Sequence, residues 1–249
     1  MAIVPIGGPP DMTGRVVFMT GACGGIGRAT VSALVAAGAR VVATDVVEPS
    51  TPFEKGVAFH RCDVTSREQT DKVIAQIWQE YQRIDAMVLC AGSVSNAHLE
   101  KVSDEEWQQV QDVNVLGVIN PARAVWPRMV AQQSGKFVML GSVAVRIGGW
   151  AAGPAYVAAK AAVHGISKWL AKHGAPHGIT SNVVAPGPVE TAMMEKVTEK
   201  KAPKASDSIP LGRYGQPEDI AQVILFLSSP QSNYITGAEL NINGGMVFD

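Results

Sequence analysis

Six short apolar runs, at 15–20, 40–45, 57–62, 85–91, 136–142 and 179–185, punctuate this chain and are separated by stretches long enough for helices. That rhythm restricts the fold more than any other property of the sequence. Runs that are apolar throughout, with no polar alternation, belong to strands buried on both faces, as in a parallel sheet. The intervening stretches carry helical periodicity. Val73, Ile74, Ile77, Trp78 and Tyr81 recur at 3.6-residue spacing within 66–82, and 29–37 is helix-compatible and closed by Gly38. Strands alternating with helices, joined by right-handed crossovers, predict an α/β fold: one doubly wound parallel sheet of about seven strands with helices on both faces.

At 249 residues the chain fits one large domain of this kind. No repeat, linker or low-complexity segment divides it, so residues 14–249 are expected to form a single domain. Residues 1–13 hold Pro5, Gly7, Gly8, Pro9 and Pro10 and are expected to form a loose arm. Pro121 and Pro127 interrupt an otherwise helical stretch, which predicts a bend or a delayed start there. Gly174 and Pro176 should end the helix that begins near Ala155.

Net charge of −1 without runs of like charge gives no electrostatic footprint for nucleic acid or an anionic membrane, so a small-molecule partner is expected. Cys23, Cys62 and Cys90 are too few and scattered for a disulfide framework or a thiolate metal cage, and no metal is expected. No leader pattern opens the sequence and no apolar run has membrane-spanning length, which predicts a cytoplasmic protein.

The first strand runs into Thr20-Gly21-Ala22-Cys23-Gly24-Gly25-Ile26-Gly27, and a helix follows. Glycines there let the backbone turn tightly and approach a pyrophosphate, while the helix N–H groups and dipole face the anion. Strand, turn and helix together point to a dinucleotide site. Asp45 ends the second strand, where a carboxylate can accept hydrogen bonds from the adenosine ribose and repel a 2′-phosphate. This favours NAD over NADP. Asp63, followed by Val64, ends the third run and can meet the adenine or cap the next helix.

A second cluster bears the chemistry. Tyr156 and Lys160 stand at i and i+4 on one helical face, and a fixed cation beside a phenol is expected to ease its ionisation. Ser142 closes the fifth apolar run, so it can be presented at the carboxyl end of a strand, where open α/β sheets hold ligands.

These residues together resemble the classical short-chain dehydrogenase/reductase family, over essentially 14–245, on a Rossmann-type fold. The loop from Gly21 through Cys23, Gly24, Gly25 and Ile26 to Gly27 is similar to the family's cofactor loop. Asp45 matches its NAD-selecting acid, Asp63 with Val64 its adenine contact, and Cys90-Ala91-Gly92 its central strand end. Asn114, Ser142, Tyr156 and Lys160 match its four catalytic positions. Pro186, Gly187, Val189 and Thr191 fall in the loop that holds the nicotinamide carboxamide. The resemblance implies that Tyr156 exchanges a proton with the substrate oxygen as hydride passes to or from the nicotinamide. Lys160 would lower the phenol pKa and hold the nicotinamide ribose, Ser142 would hold the substrate oxygen, and Asn114 would position a water on the proton path. It also implies a homotetramer with long helices packed across a two-fold axis.

Several positions depart from the family pattern. Cys90 replaces an asparagine, Asn243 replaces an aspartate before Gly244-Gly245, and the gap from Ser142 to Tyr156 is one residue longer than usual. The wall near Trp150 is therefore open at this stage. Val94, Ser142, Val145, Trp150, Tyr156 and Met193 are the expected substrate lining. His98 is read as a surface-loop residue, and a lid is expected over 192–210. Its apolar first half suggests a hydrophobic or alicyclic secondary alcohol or ketone, hence an NAD-dependent alcohol dehydrogenase or carbonyl reductase. The alternatives are a 3-oxoacyl-[acyl-carrier-protein] reductase and a catalytically silent nucleotide-binding sensor. Asp45 and the sparse cations near Arg128 and Lys172 weigh against the first, and the full set of four catalytic positions weighs against the second.

Overall fold

The computed structural model describes residues 8–149, 151–197 and 208–248. Seven strands, β1 (Val16–Thr20), β2 (Arg40–Asp45), β3 (Ala58–Arg61), β4 (Ala86–Leu89), β5 (Gly135–Leu140), β6 (Ile179–Pro186) and β7 (Glu239–Ile242), form one sheet in the order β3-β2-β1-β4-β5-β6-β7. Every neighbouring pair is parallel. The order reverses between β1 and β4, which creates the crevice where sheets of this type hold ligands.

The strands separate two apolar layers because successive side chains alternate across them. Val16 and Phe18 of β1 face the layer that covers α2 (Arg67–Tyr81), α4 (Gly117–Gln132) and α6 (Pro154–Gly174), with Ile74, Val125 and Val163. Val17 and Met19 face the other layer, with Leu34 of α1 (Gly25–Ala36) and Ile224 of α8 (Pro217–Ser228). Smaller pieces complete the helices: α3 (Asp104–Gln111), α5 (Ala144–Ile147), α7 (Ala192–Val197) and the 3-10 turns Ala175–His177 and Pro230–Ser232.

The 1–13 arm expected from the sequence does not hold at Met12. Met12 is fully buried in the second layer, and its N–H donates to the Ala37 carbonyl at 2.8 Å. A long apolar side chain just before β1 finds the end of α1, so the tight proline-glycine composition upstream does not extend the arm to residue 13. Both Pro121 and Pro127 lie inside α4, and the irregularity sits upstream as one wide π turn over Asp112–Leu116 that joins α3 to α4. α6 ends at Gly174 and gives way to the 3-10 turn that contains Pro176. Among the described residues no helix is long and apolar enough to cross a membrane.

Met12→Ala should lower the unfolding free energy by roughly 2–5 kcal/mol, the range for emptying a buried methionine site. Urea denaturation checks this; a loss below about 0.5 kcal/mol would place Met12 outside the cooperative core.

Candidate active site

The loop after β1 is built by close approach. Gly21 has φ +67°, and a Cβ there would lie 2.7 Å from the Ala91 nitrogen; one at Gly27 would lie 2.0 Å from the Gly21 carbonyl oxygen. Glycine is thus required at both places to seat the loop against the end of β4. Gly24 caps α1 with no side-chain hydrogen bond, which leaves the first-turn N–H groups facing an anion site. Cys23 N–H donates to Asp45 Oδ2 at 2.9 Å and Val47 N–H to Oδ1 at 3.2 Å. The Asp45 carboxylate is therefore fixed at the rim of the loop. Arg28 is turned away from it, donating to the Thr51 and Pro52 carbonyls and lying 4.5 Å from the Phe53 ring centroid. Arg61 Nε donates to the Val46 carbonyl at 3.0 Å.

Asp63 folds back locally: its Oδ1 accepts from Thr65 N–H at 2.9 Å and Thr65 Oγ1 at 2.8 Å. The cap of α2 is Ser66, which accepts from Gln69 N–H. The Val64 carbonyl accepts from Asn120 Nδ2 at 3.0 Å, which pins that strand end to α4. These groups, with the glycine cradle and the Asp45 rim, fit a nicotinamide dinucleotide laid across the β1–β4 crevice.

The four candidate catalytic side chains converge at the carboxyl ends of β4 and β5. Ser142 follows β5, its Oγ accepts from Ala144 N–H at 3.1 Å, and it stands close enough to the Tyr156 phenol to favour the ionised form. Lys160 is buried, donates to the Leu140 carbonyl at 2.8 Å, and has its Nζ 5.7 Å from the Tyr156 ring centroid. Asn114 lies in the π turn and gives Nδ2 to the Val110 and Ser93 carbonyls, each at 2.8 Å. Its Oδ1 is buried without a partner. A Cβ on Gly92 would lie 3.0 Å from that oxygen and 3.5 Å from Lys160 Nζ, so both flank Gly92. An orphaned acceptor beside an ammonium is a place for a bridging water.

The electrostatics differ from the sequence expectation. Burial pushes the Tyr156 phenol above its ordinary value, opposed only by the Ser142 hydrogen bond. The Lys160 ammonium donates to the Leu140 carbonyl, and burial lowers Lys160 itself to about 8. Burial likewise pushes the Cys90 thiol up to about 12, so the residue standing in the family's asparagine position is a neutral neighbour of Lys160. A phenol that retains its proton at neutral pH is suited to give it to a ketone.

A cavity of about 150 Å³ opens onto Tyr156 and Ser142. Val94 and Met193 line it, and so do Ile26 of the glycine loop and Gly187, Val189 and Thr191 of the loop after β6. Val145 does not: it stands half-buried on α5, and Ala144 and Ile147 of the same short helix face the cavity instead. Trp150 lies outside the described residues. Met246 was missed by sequence reasoning; it joins the lining from beyond the Asn243 turn, where Asn243 Oδ1 accepts from Gly245 N–H at 3.0 Å. No pattern in the last residues distinguishes it from a surface methionine. Within the long segment between Ser142 and Tyr156, Gly148 and Gly149 take the left-handed φ values of +74° and +110°. His98 is exposed. Of the expected lid, α7 is described, and residues 198–207 lie outside the described residues.

A family model described as enoyl-(acyl carrier protein) reductase matches residues 21–247. The 3-oxoacyl-[acyl-carrier-protein] reductase FabG of Thermotoga maritima is 41% identical over 244 residues, spanning 95% of this chain and 99% of that protein. The 3-oxoacyl-[acyl-carrier-protein] reductase of a Synechocystis species is 39% identical over 247 residues, spanning 95% and 98%. Among solved structures, a short-chain type dehydrogenase/reductase from Mycobacterium marinum superimposes with a TM-score of 0.90 at 32% identity, covering 96% of this chain and 98% of that one. The ligand-free aldohexose dehydrogenase of Thermoplasma acidophilum gives 0.87 at 31% identity, covering 96% of each.

Tyr156→Phe should abolish turnover while leaving dinucleotide affinity within about two-fold, as expected when only a proton-transfer group is lost. Steady-state kinetics and a fluorescence titration separate the two. With Lys160 titrating at about 8, kcat/KM for ketone reduction should be level below that pH and fall above it, as the ammonium loses its charge; a rate that climbs through that region would contradict the assignment.

Proposed function

Since the chain belongs to the short-chain dehydrogenase/reductase family, whose members exchange hydride with NAD(P), we propose that it reduces a 3-oxoacyl thioester to the 3-hydroxyacyl thioester with NADH. The observation that carries this reading is the single cavity onto which Ser142 and Tyr156 open together with Ile26 of the glycine loop and Gly187, Val189 and Thr191. The names of the two curated relatives support the thioester. Those relatives have no counterpart for the hydrophobic or alicyclic alcohol expected from the sequence, so the thioester reading replaces it.

In this reading the reduced dinucleotide, when bound, supplies the hydride. Ser142 Oγ and the Tyr156 hydroxyl hold the 3-oxo oxygen, and Tyr156 gives it the proton as the carbonyl becomes an alcohol. Lys160 stabilises the phenolate left behind. A water accepted by Asn114 Oδ1 returns a proton toward Lys160. Ala144, Ile147 and Met193 keep bulk water from the apolar end of the cavity. The clamped Asp45 carboxylate supports NAD, because a 2′-phosphate placed there would meet a like charge.

One observation favours a carrier-free substrate. The Arg128 guanidinium donates one N–H to the Ala124 carbonyl at 2.6 Å and lies 5.9 Å from the Trp78 ring centroid, so it is held against α4 and α2 and not extended toward an acidic carrier protein. A coenzyme A thioester or a free ketone meets no such requirement. A homotetramer is part of the same reading. It is supported by an apolar groove of about 390 Å³ on the outer faces of α4 and α6, lined by Trp126, Ile166 and Trp169 among others.

Acetoacetyl-CoA should be consumed with NADH at least about ten-fold more efficiently than with NADPH, a difference of roughly 1.4 kcal/mol in transition-state binding. Asp45→Ser should narrow that ratio. Absorbance of the reduced nicotinamide follows both. NADPH preference in the parent protein would overturn the cofactor reading, and turnover of simple secondary alcohols alone would overturn the thioester.

A further inference from the structure

His164 stands one turn after Lys160 on α6 and is 7% exposed. Its Nδ1 lies 3.0 Å from Glu239 Oε2 on β7. Its Nε2 is buried without a partner, and a Cβ on Gly141 would come within 2.4 Å of it. The imidazole therefore fills the space directly behind the residue that precedes Ser142. Burial, reinforced by Lys160 and Arg146, lowers its pKa against the opposing pull of Glu239. The ring is neutral at neutral pH, with Nδ1–H donating to the carboxylate and a bare Nε2 lone pair facing Gly141 and Val183.

Glu239 holds a second partner. Arg146 Nε donates to Oε1 and Nη2 to Oε2, both at 3.2 Å. Arg146 lies on α5 between Ala144 and Ile147, which line the cavity. One nearly buried carboxylate, with 11% of its side chain exposed, thus ties the cavity wall on α5 to the helix that carries Tyr156 and Lys160. Space filling does not call for an imidazole here, since an aliphatic side chain would occupy the same volume without stranding a ring nitrogen.

We propose that Arg146, His164 and Glu239 form a positioning network for the reaction at Tyr156. Glu239 sets the α5 wall through Arg146, and the Gly141–Ser142 turn through His164. None of the three lines the cavity. The inference rests on the reductase reading of the site and assigns these residues a part in alignment within it.

The test compares Glu239→Gln, which keeps the shape and loses the charge, with His164→Leu, which fills the space and removes the ring. Both should bind NADH within about two-fold of the parent and reduce acetoacetyl-CoA with kcat about ten-fold lower. His164→Leu should do so with a thermal midpoint no lower than the parent's. A purely structural network would instead lower the midpoint and spare kcat of the folded fraction, and either variant folding with parental kcat would overturn the proposal. If Glu239→Gln does not fold, Arg146→Gln, altered on the exposed side of the pair, should show the same loss of kcat. If the parent itself does not turn over acetoacetyl-CoA, the thioester reading fails separately. The network is then read from the alkaline ultraviolet titration of Tyr156, taken as the parent minus Tyr156→Phe difference. That titration should move by about half a unit or more in Glu239→Gln, measured against a Glu239→Gln/Tyr156→Phe reference. An unmoved phenol overturns the network.

Discussion

The approach of Gly21 to the backbone of Cys90 and Ala91 is the contact on which the rest of the site is registered. With a hypothetical Cβ only 2.7 Å from the Ala91 nitrogen, no other residue lets the loop after β1 close on the end of β4. The Ala91 N–H is returned to Thr20 Oγ1 at 3.2 Å, so the two strand ends are also bonded. From that junction the layout follows. The cradle before α1 opens toward the crevice, Asp45 is drawn to Cys23, and Gly92 is set between Asn114 and Lys160.

Much of this was legible in the chain. Apolar runs without alternation reported strands covered on both sides, and their carboxyl ends located the loop, Asp45 and Ser142. The sequence also brought Tyr156 and Lys160 onto one helical face. What it did not carry was orientation. Spacing at i and i+4 promises proximity, yet the Lys160 ammonium is directed to a backbone carbonyl, and the phenol answers to its burial. Val145 and Ile147 look equivalent on paper, and only the start of α5 decides which faces the cavity. Met12 was read with the prolines around it because composition describes a segment, whereas burial is decided one side chain at a time. The prolines of α4 show the same limit: the chain absorbs them downstream of a π turn whose signal, if any, is Asn114, able to bond the Val110 carbonyl that the widened turn leaves behind.

Polar groups in this site are held by the backbone more than by one another. Lys160 leans on Leu140, Asn114 on Ser93 and Val110, and Cys23 and Val47 present their N–H groups to Asp45. Such partners cannot rotate away, so the side chains are preorganised without mutual ion pairs. The Arg146–Glu239–His164 group is the exception, since it joins three elements through side chains alone.

The two left-handed glycines after α5 separate the cavity wall from its supports. Ser142 is anchored by β5, and the far end of the segment is anchored where Gly153 N–H donates to the Ser95 carbonyl at 2.7 Å. Between these fixed points Gly148 and Gly149 take up chain length without moving either. The wall is therefore held at its two ends and free in its backbone geometry between them, so a change in its span or bulk would fall on the glycines before it reached Ser142 or the start of α6.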